Sequence, residues 1–394
     1  MKLQIENRQS KILGGNMSSI TPAPKGLIPT DQPDLWFEDN AVGRMKKEIW
    51  DMNDDQLKAV LAEYGFPAPG VEWGKPGAYI QTTPRWKVVE NRRKNDVVFI
   101  PVGCTELHGD HLPSADDTLF VSMICEGVRR YTEKHRDGHV NLALPPLNYG
   151  AHPYHHLGMP GTVIVRETVV REMMIDVMLG LWNDGFRKQV IINNHGQLWV
   201  LESAIQEFQK RFQLPGIFQV LDWHRGVREM FRTKERGGGW ETNFVHADES
   251  ETSLSLYLFP DMVDMKYAVD TEARGYLPEG HFDKSVDPFG RPHRWSEGEG
   301  HFPIEIAGTP EGVVGKARSG DARKALRPLA AILRYLTMVN DDILKAFPAG
   351  KLPPIEEVTL RTKEEMEAYI KEPMSPGWRP VYALPRIGQD TLVG

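Results

Sequence analysis

Val97-Val98-Phe99-Ile100-Pro101-Val102 runs directly into Gly103-Cys104-Thr105-Glu106-Leu107-His108-Gly109-Asp110-His111-Leu112-Pro113. An apolar run rich in β-branched residues predicts a strand buried on both faces. The polar, ligand-type side chains that follow lie where an α/β sheet places its sites, beyond the carboxyl ends of its strands. Two more runs of the same kind are Gln189-Val190-Ile191-Ile192 and Ile217-Phe218-Gln219-Val220-Leu221. Between the first two, Val170, Met173, Met174, Val177, Met178 and Leu181 recur at helical period, and a further helix is predicted over Leu198–Phe212. Strand, helix, strand, helix, strand implies a layered α/β/α domain around a central, mainly parallel sheet.

The flanks read differently. Residues 1–90 form an irregular arm punctuated by Pro22, Pro24, Pro29 and Pro33, and Trp73 and Trp86 lie towards its end. One short helix is predicted over residues 54–64, with Asn53 and Gln56 as a capping box and Gly65 as its stop. The main domain spans 91–347 and includes a long loop at 275–308, rich in Gly, Pro, His and Trp. A last helix is predicted over residues 321–347, where Pro328 implies a kink or a true start near Arg327. A polar, proline-containing tail fills 348–394.

Composition excludes several function classes. The 394 residues carry 47 Lys and Arg against 54 Asp and Glu, a net charge of −7, which leaves no electrostatic footprint for nucleic acid or an anionic membrane. No stretch approaches the ~18 consecutive apolar residues of a membrane helix. The first 20 residues lack an apolar signal-peptide core. Two cysteines, Cys104 and Cys125, argue against a disulfide framework and for the reducing cytoplasm. No glycine-rich phosphate loop follows a strand.

Three clusters carry chemistry. Glu106 and His108 are two apart, so in extended chain they point to the same side. The second strand ends in Asn193-Asn194-His195-Gly196, where glycine lets the backbone turn close to a ligand. His246-Ala247-Asp248-Glu249-Ser250-Glu251-Thr252-Ser253 opens an apolar helical run. Carboxylates with imidazoles make a hard-to-borderline ligand set suited to zinc or manganese. A single strand-end histidine is more often a hydrogen-bonded structural residue, and Glu249 and Ser250 fit ordinary helix capping. The convergence of two clusters on one sheet edge favours the metal reading.

Together these segments resemble the creatininase family of metal-dependent amidohydrolases. The family's Gly-Ser-x-Glu-x-His-Gly-x-His-Leu-Pro run with a following Asp reads here as Gly103 to Pro113 and Asp117. Its Asn-x-His-Gly appears at Asn193 to Gly196. Its Tyr-Gly and His-x-x-x-Pro-Gly-Thr appear at Tyr149-Gly150 and His156 to Thr162. Its His-Ala-x-x-x-Glu-Thr-Ser appears at His246 to Ser253, and its Gly-Val-x-Gly at Gly312 to Gly315. The resemblance implies two divalent ions, zinc or manganese. Glu106, His108, Asp117 and His195 would be ligands, with Asp117 bridging and Glu251 as the fifth.

The departures bear on substrate. Creatininase itself places a ligand glutamate two residues after its strand-end histidine, and Gln197 stands here, which argues against creatinine. Cys104 replaces the usual serine, and sequence alone gives it no activated thiolate. His155 replaces a glutamate, and Lys316-Ala317 stands where relatives often carry Asp-Pro. His246 is the candidate proton donor, since imidazole titrates near working pH. His152, His155, His156, Gln197, Trp223 and His224, with Asn148 and Arg225 nearby, offer a polar lining for a small cyclic substrate.

The long form of the chain resembles a cyclitol-catabolism branch of the family. That implies hydrolysis of a carbon–carbon bond in a cyclic diketo-inositol, opening the ring to a 5-dehydro-gluconate. The alternative is an amidohydrolase acting on a small cyclic or formylated amide. A non-catalytic binding protein on this scaffold would be expected to have lost ligands, and none of the five is lost. The resemblance also implies a homo-oligomer, hexameric in some relatives, whose neighbours could be reached by His281, His293 or His301.

Overall fold

The computed structural model describes residues 25–31, 36–53, 55, 56, 59, 76–145, 149–242, 244–272, 276 and 303–384. The chain forms two compact units, Met1–Glu72 and Trp73–Gly394. In the first, β1 (Leu27–Pro29) pairs antiparallel with β2 (Trp36–Glu38), and Ile28 faces Phe37. Helix α1 (Ala41–Asp51) follows, capped by the Asn40 side chain on the Gly43 amide. The capping box expected at Asn53 is present. Asn53 N–H donates to Gln56 Oε1 at 2.9 Å, and Gln56 N–H returns to Asn53 Oδ1 at 3.0 Å. Most of the helix expected over residues 54–64, with Gly65 and Trp73, falls outside the described residues.

The second unit holds α2 (Arg85–Arg92), β3 (Val97–Val102), α3 (Asp116–His135), β4 (Asn141–Leu142), α4 (Glu167–Asn183), β5 (Lys188–Asn193), α5 (Leu198–Phe212) and β6 (Ile217–Asp222). The four strands lie in the order β4-β3-β5-β6, and every pair is parallel. Because side chains alternate along a strand, β3 feeds both faces of the sheet. Val97 and Phe99 pack with Phe120, Ile124 and Val128 of α3, and with Leu329, Ile332 and Leu336 of the long helix α7 (Ala322–Ala346). Val98, Ile100 and Val102 pack on the other face with Met174, Met178, Trp182, Leu201 and Phe208 of α4 and α5. The result is the α/β/α sandwich the sequence predicts. Strand β4 has only two residues and therefore no period to read.

Register fixes where the site lies. Val102 stands opposite Asn193, and Asn193 opposite Asp222, so three strands end level on one edge. α6 (Glu249–Leu258) packs with both α3 and α7, bringing its amino terminus into the same neighbourhood.

The helix expected over 321–347 is present as α7, and the alternative start near Arg327 does not hold, because the Asp321 side chain caps the helix by accepting from the Arg323 amide. Pro328 is accommodated inside that helix, on its buried face. The segment after Pro348 is not only an irregular tail. It contains α8 (Lys363–Ile370) with a Thr362–Glu365 capping box, and it places Ile355, Met366, Tyr369 and Val381 in the core. Arg187 ties it down by donating to the carbonyls of Tyr369 and Lys371, at 2.9 and 3.2 Å.

Lys188 at the start of β5 is fully buried. Its ammonium donates to Asp96 Oδ1 at 2.7 Å and to the carbonyls of Phe347 and Pro348 at 2.6 and 3.0 Å. Three protons meet three acceptors, and the sheet is thereby pinned to the end of α7. Asp96→Ala would strand this charge, and is expected to cost about 3–5 kcal/mol in denaturant unfolding. A loss below about 1 kcal/mol would contradict the assignment, being the value of an exposed pair.

Candidate metal centre

Gly103 ends β3 where the chain meets the first turn of α3. A Cβ there would lie 2.4 Å from the Thr118 amide, so only glycine permits the approach. That approach sets Glu106 and His108 beside Asp117. His108 is oriented by its Nδ1, 3.1 Å from the Glu106 carbonyl, which leaves Nε2 directed inward. The end of β5 supplies His195, whose Nδ1 lies 2.9 Å from Glu106 Oε2 and 3.3 Å from Asp117 Oδ2. The amino terminus of α6 supplies Glu251, 3.5 Å from His108 Nε2. Ala247 adopts a left-handed φ of +47°, uncommon for a residue with a Cβ, and its amide thereby donates to Glu251 Oε2 at 2.6 Å.

Asp116 and Asp117 are adjacent, but their surroundings differ. Asp116 accepts from Ser255 Oγ at 2.9 Å, and burial pushes its carboxyl up to about 8. Burial also opposes charge on Asp117. There, however, a hydrogen bond with His195 and the nearby His108 win, and hold the carboxyl below the usual range. Asn194 donates to Asp117 Oδ1 and in turn accepts from the Trp223 indole N–H. Burial raises Glu106 too, and His246, His156 and His195 together reverse it and hold it well below its ordinary value.

The donor set fits a divalent ion. His108 Nε2 is buried and makes no hydrogen bond among the described residues, although Glu251 Oε2 and Asp117 Oδ1 lie 3.5 and 3.8 Å away. These separations are too long for hydrogen bonds. They are those of ligands sharing one ion at ~2.0–2.2 Å. Candidate ligand atoms converge in His108, Asp117 and Glu251, and again around Glu106 and His195. Cys104 is no nucleophile in this arrangement. Burial, then Asp117 and Glu106, pushes its thiol well up, and Sγ lies 2.9 Å from Asp117 Oδ2.

The centre opens into a cavity that Glu106, Asp117, His195, His246 and Glu251 share with His155, His156 and His224. His246 lies 3.6 Å from Glu106 Oε1 through Nδ1, while Nε2 lies 2.7 Å from the Leu107 carbonyl. His224 stacks on Phe244 at 4.5 Å and 12°, and among the described residues neither of its ring nitrogens has a hydrogen-bond partner. Three residues expected at the substrate do not line this cavity. His152 packs its ring 4.3 Å from that of His195. Trp223 supports Asn194. Gln197 spends its amide on the Ala151 N–H, the Gly103 carbonyl and Asn193 Oδ1, at 3.0, 3.1 and 3.2 Å. Asn148, His281, His293 and His301 lie outside the described residues. Glu305, which also lines the cavity, was not foreseen, because its segment offers no periodicity or motif.

A family described as creatininase (creatinine amidohydrolase) matches residues 83–339. The chain belongs to the creatininase family. It is thus a member of a family of metal-dependent hydrolases. It is 46% identical over 306 residues to the 3-dehydro-scyllo-inosose hydrolase of Thermotoga maritima, covering 78% of this chain and 96% of that one. It is 28% identical over 219 residues to the creatinine amidohydrolase of Pseudomonas putida, covering 52% and 80% respectively. Among solved structures, a creatininase mutant complexed with creatine aligns with a TM-score of 0.52 at 21% identity, covering 70% of this chain and 100% of that one. A Zn-Zn type of creatininase mutant gives the same values. These likenesses place the fold. Among the described residues, no helix is long and apolar enough to cross a membrane.

Asp117 faces candidate ligands on both sides, so Asp117→Ala is expected to abolish divalent-metal retention. Metal analysis of the purified variant checks this, and full metal content would contradict the assignment.

Proposed function

We propose that this chain hydrolyses a carbon–carbon bond in a cyclic, polyhydroxylated diketone of the 3-dehydro-scyllo-inosose kind, opening the ring to a 5-dehydro-gluconate. The observation that carries the reading is 46% identity across 96% of the Thermotoga maritima hydrolase. An unbroken set of five candidate ligands accompanies it. Two ions, zinc or manganese, would be held, one by His108, Asp117 and Glu251, the other by Glu106, Asp117 and His195. When bound, such ions polarise a carbonyl and bring the pKa of water down to ~7.

The chain's own residues account for the rest. The Leu107 carbonyl can only accept, so neutral His246 carries its proton on Nε2. Nδ1 is then bare, beside Glu106 and the cavity. It takes the proton of the attacking water and returns it to the departing carbon. His155 and His156 form the cavity wall that faces the substrate, and His224 binds a substrate oxygen. For His224, a polyol hydroxyl would satisfy a ring nitrogen that has no partner among the described residues. We further propose a cytoplasmic homo-oligomer, with residues 91–347 as catalytic domain and residues 1–90 and 348–394 as interface candidates.

Hydrolysis of a small cyclic or formylated amide is the second reading, supported by 28% identity to a creatinine amidohydrolase. Gln197 weighs against creatinine, because its amide donates to two oxygens that a glutamate there would repel.

The test is turnover of a diketo-inositol by zinc- or manganese-loaded protein, beside creatinine and a formylaminopyrimidine. Ring-opened keto-acid from the diketone alone is expected, and nitrogen release from an amide with no keto-acid would overturn the reading. His246→Ala should retain metal and slow turnover ~10²–10⁴-fold. Unchanged turnover would remove His246 from the mechanism.

A further inference from the structure

Glu305 begins a short helix, Glu305–Gly308, far in sequence from the strand-end motifs, yet it is buried at the same cavity. Its Oε1 lies 3.4 Å from His156 Nε2 and 3.9 Å from His155 Nε2. The two imidazoles stand nearly perpendicular, at 89° with ring centroids 4.6 Å apart, so their Nε2 atoms approach one carboxylate oxygen from different directions. All three residues are at least nine-tenths buried. A hydrogen bond would draw such atoms to ~2.7–3.2 Å. The observed spacings instead match those of His108 with Glu251 and Asp117, 3.5 and 3.8 Å.

Two imidazoles and one carboxylate are a zinc ligand set that leaves a coordination position open. The other nitrogen of His156, Nδ1, is hydrogen-bonded to His152 Nδ1 at 3.1 Å. A hydrogen bond behind a ligating imidazole is the usual device for fixing its orientation.

We propose that His155, His156 and Glu305 form a third divalent-cation position, of zinc type, which receives the oxygen of the substrate's second carbonyl. The site stands on the geometry alone, while its role rests on the ring-opening reading above. In that reaction the water oxygen bonds to one carbonyl carbon and the adjacent ring carbon–carbon bond breaks. The electron pair passes to the departing carbon and is delocalised onto the neighbouring carbonyl oxygen as an enolate. The water's proton then adds to that carbon, so one water is consumed and a keto-acid results. An amide nitrogen holds its own lone pair on leaving and has no need of such an oxygen acceptor. A third cation therefore belongs to carbon–carbon hydrolysis.

The experiment counts zinc. Full-length protein is stripped with chelator, reloaded with zinc, desalted and analysed by mass spectrometry for metal, beside Glu305→Gln and His155→Gln. Circular dichroism and thermal melting report the fold of each variant. Three zinc ions per chain in the native protein and two in both variants are expected, with diketone turnover in the variants down ~10²–10³-fold. Two ions per chain in all three proteins would overturn the proposal. So would loss of every ion from a folded variant, which would assign these residues to the main centre. Three ions in a native protein that does not turn over the diketone would leave the site standing and overturn the ring-opening reading with the role drawn from it.

Discussion

Asp117 is a carboxylate kept charged inside the protein, and the site is organised around the groups that make this tolerable. Burying an ionised carboxylate without partners is costly enough that the group would ordinarily protonate. Asp116, one residue away, illustrates the alternative, since burial pushes it up to about 8. Asp117 escapes that outcome because His195 and His108 flank it and Asn194 donates to it. Its position in the first turn of α3 adds the favourable field of a helix amino terminus. Divalent ions at the flanking imidazoles would meet the same demand for positive charge.

That arrangement in turn requires the sheet. Val102, Asn193 and Asp222 end level because the four parallel strands share one register. The loop after β3 then delivers Glu106 and His108, and the loop after β5 delivers His195. Gly103 lets the first loop lie against α3, and Ala247 accepts a left-handed conformation to aim its amide at Glu251. Such a residue costs roughly 1–2 kcal/mol. The strain is concentrated beside a candidate ligand, where aim matters most, and the buried sandwich bears it.

The parts of the molecule written in short-range pattern were legible from sequence. β3, β5 and α5 follow from continuous apolar runs and from helical period, and the ligand clusters from residues two to five apart. What depended on distant partners was not. Gln197 looked like a pocket residue because it neighbours His195. Its amide is consumed by Gly103, Ala151 and Asn193, contacts that only the folded loops create. Trp223 likewise acts one step removed, through Asn194. Glu305 reaches the cavity from a segment without periodicity, and the apolar residues after Pro348 are too sparse to announce a place in the core. In the flanking Pro328 helix, a cap at Asp321 outweighed the proline that suggested a later start.

Carboxylates and imidazoles gather at one sheet edge as a donor set that fits divalent ions. Diffraction from zinc-loaded crystals at the zinc absorption edge tests that most directly. Anomalous peaks bounded by His108, Asp117 and Glu251, and by Glu106, Asp117 and His195, are the expected result. Maps without a peak at either position, from protein shown to be folded and zinc-saturated, would contradict it.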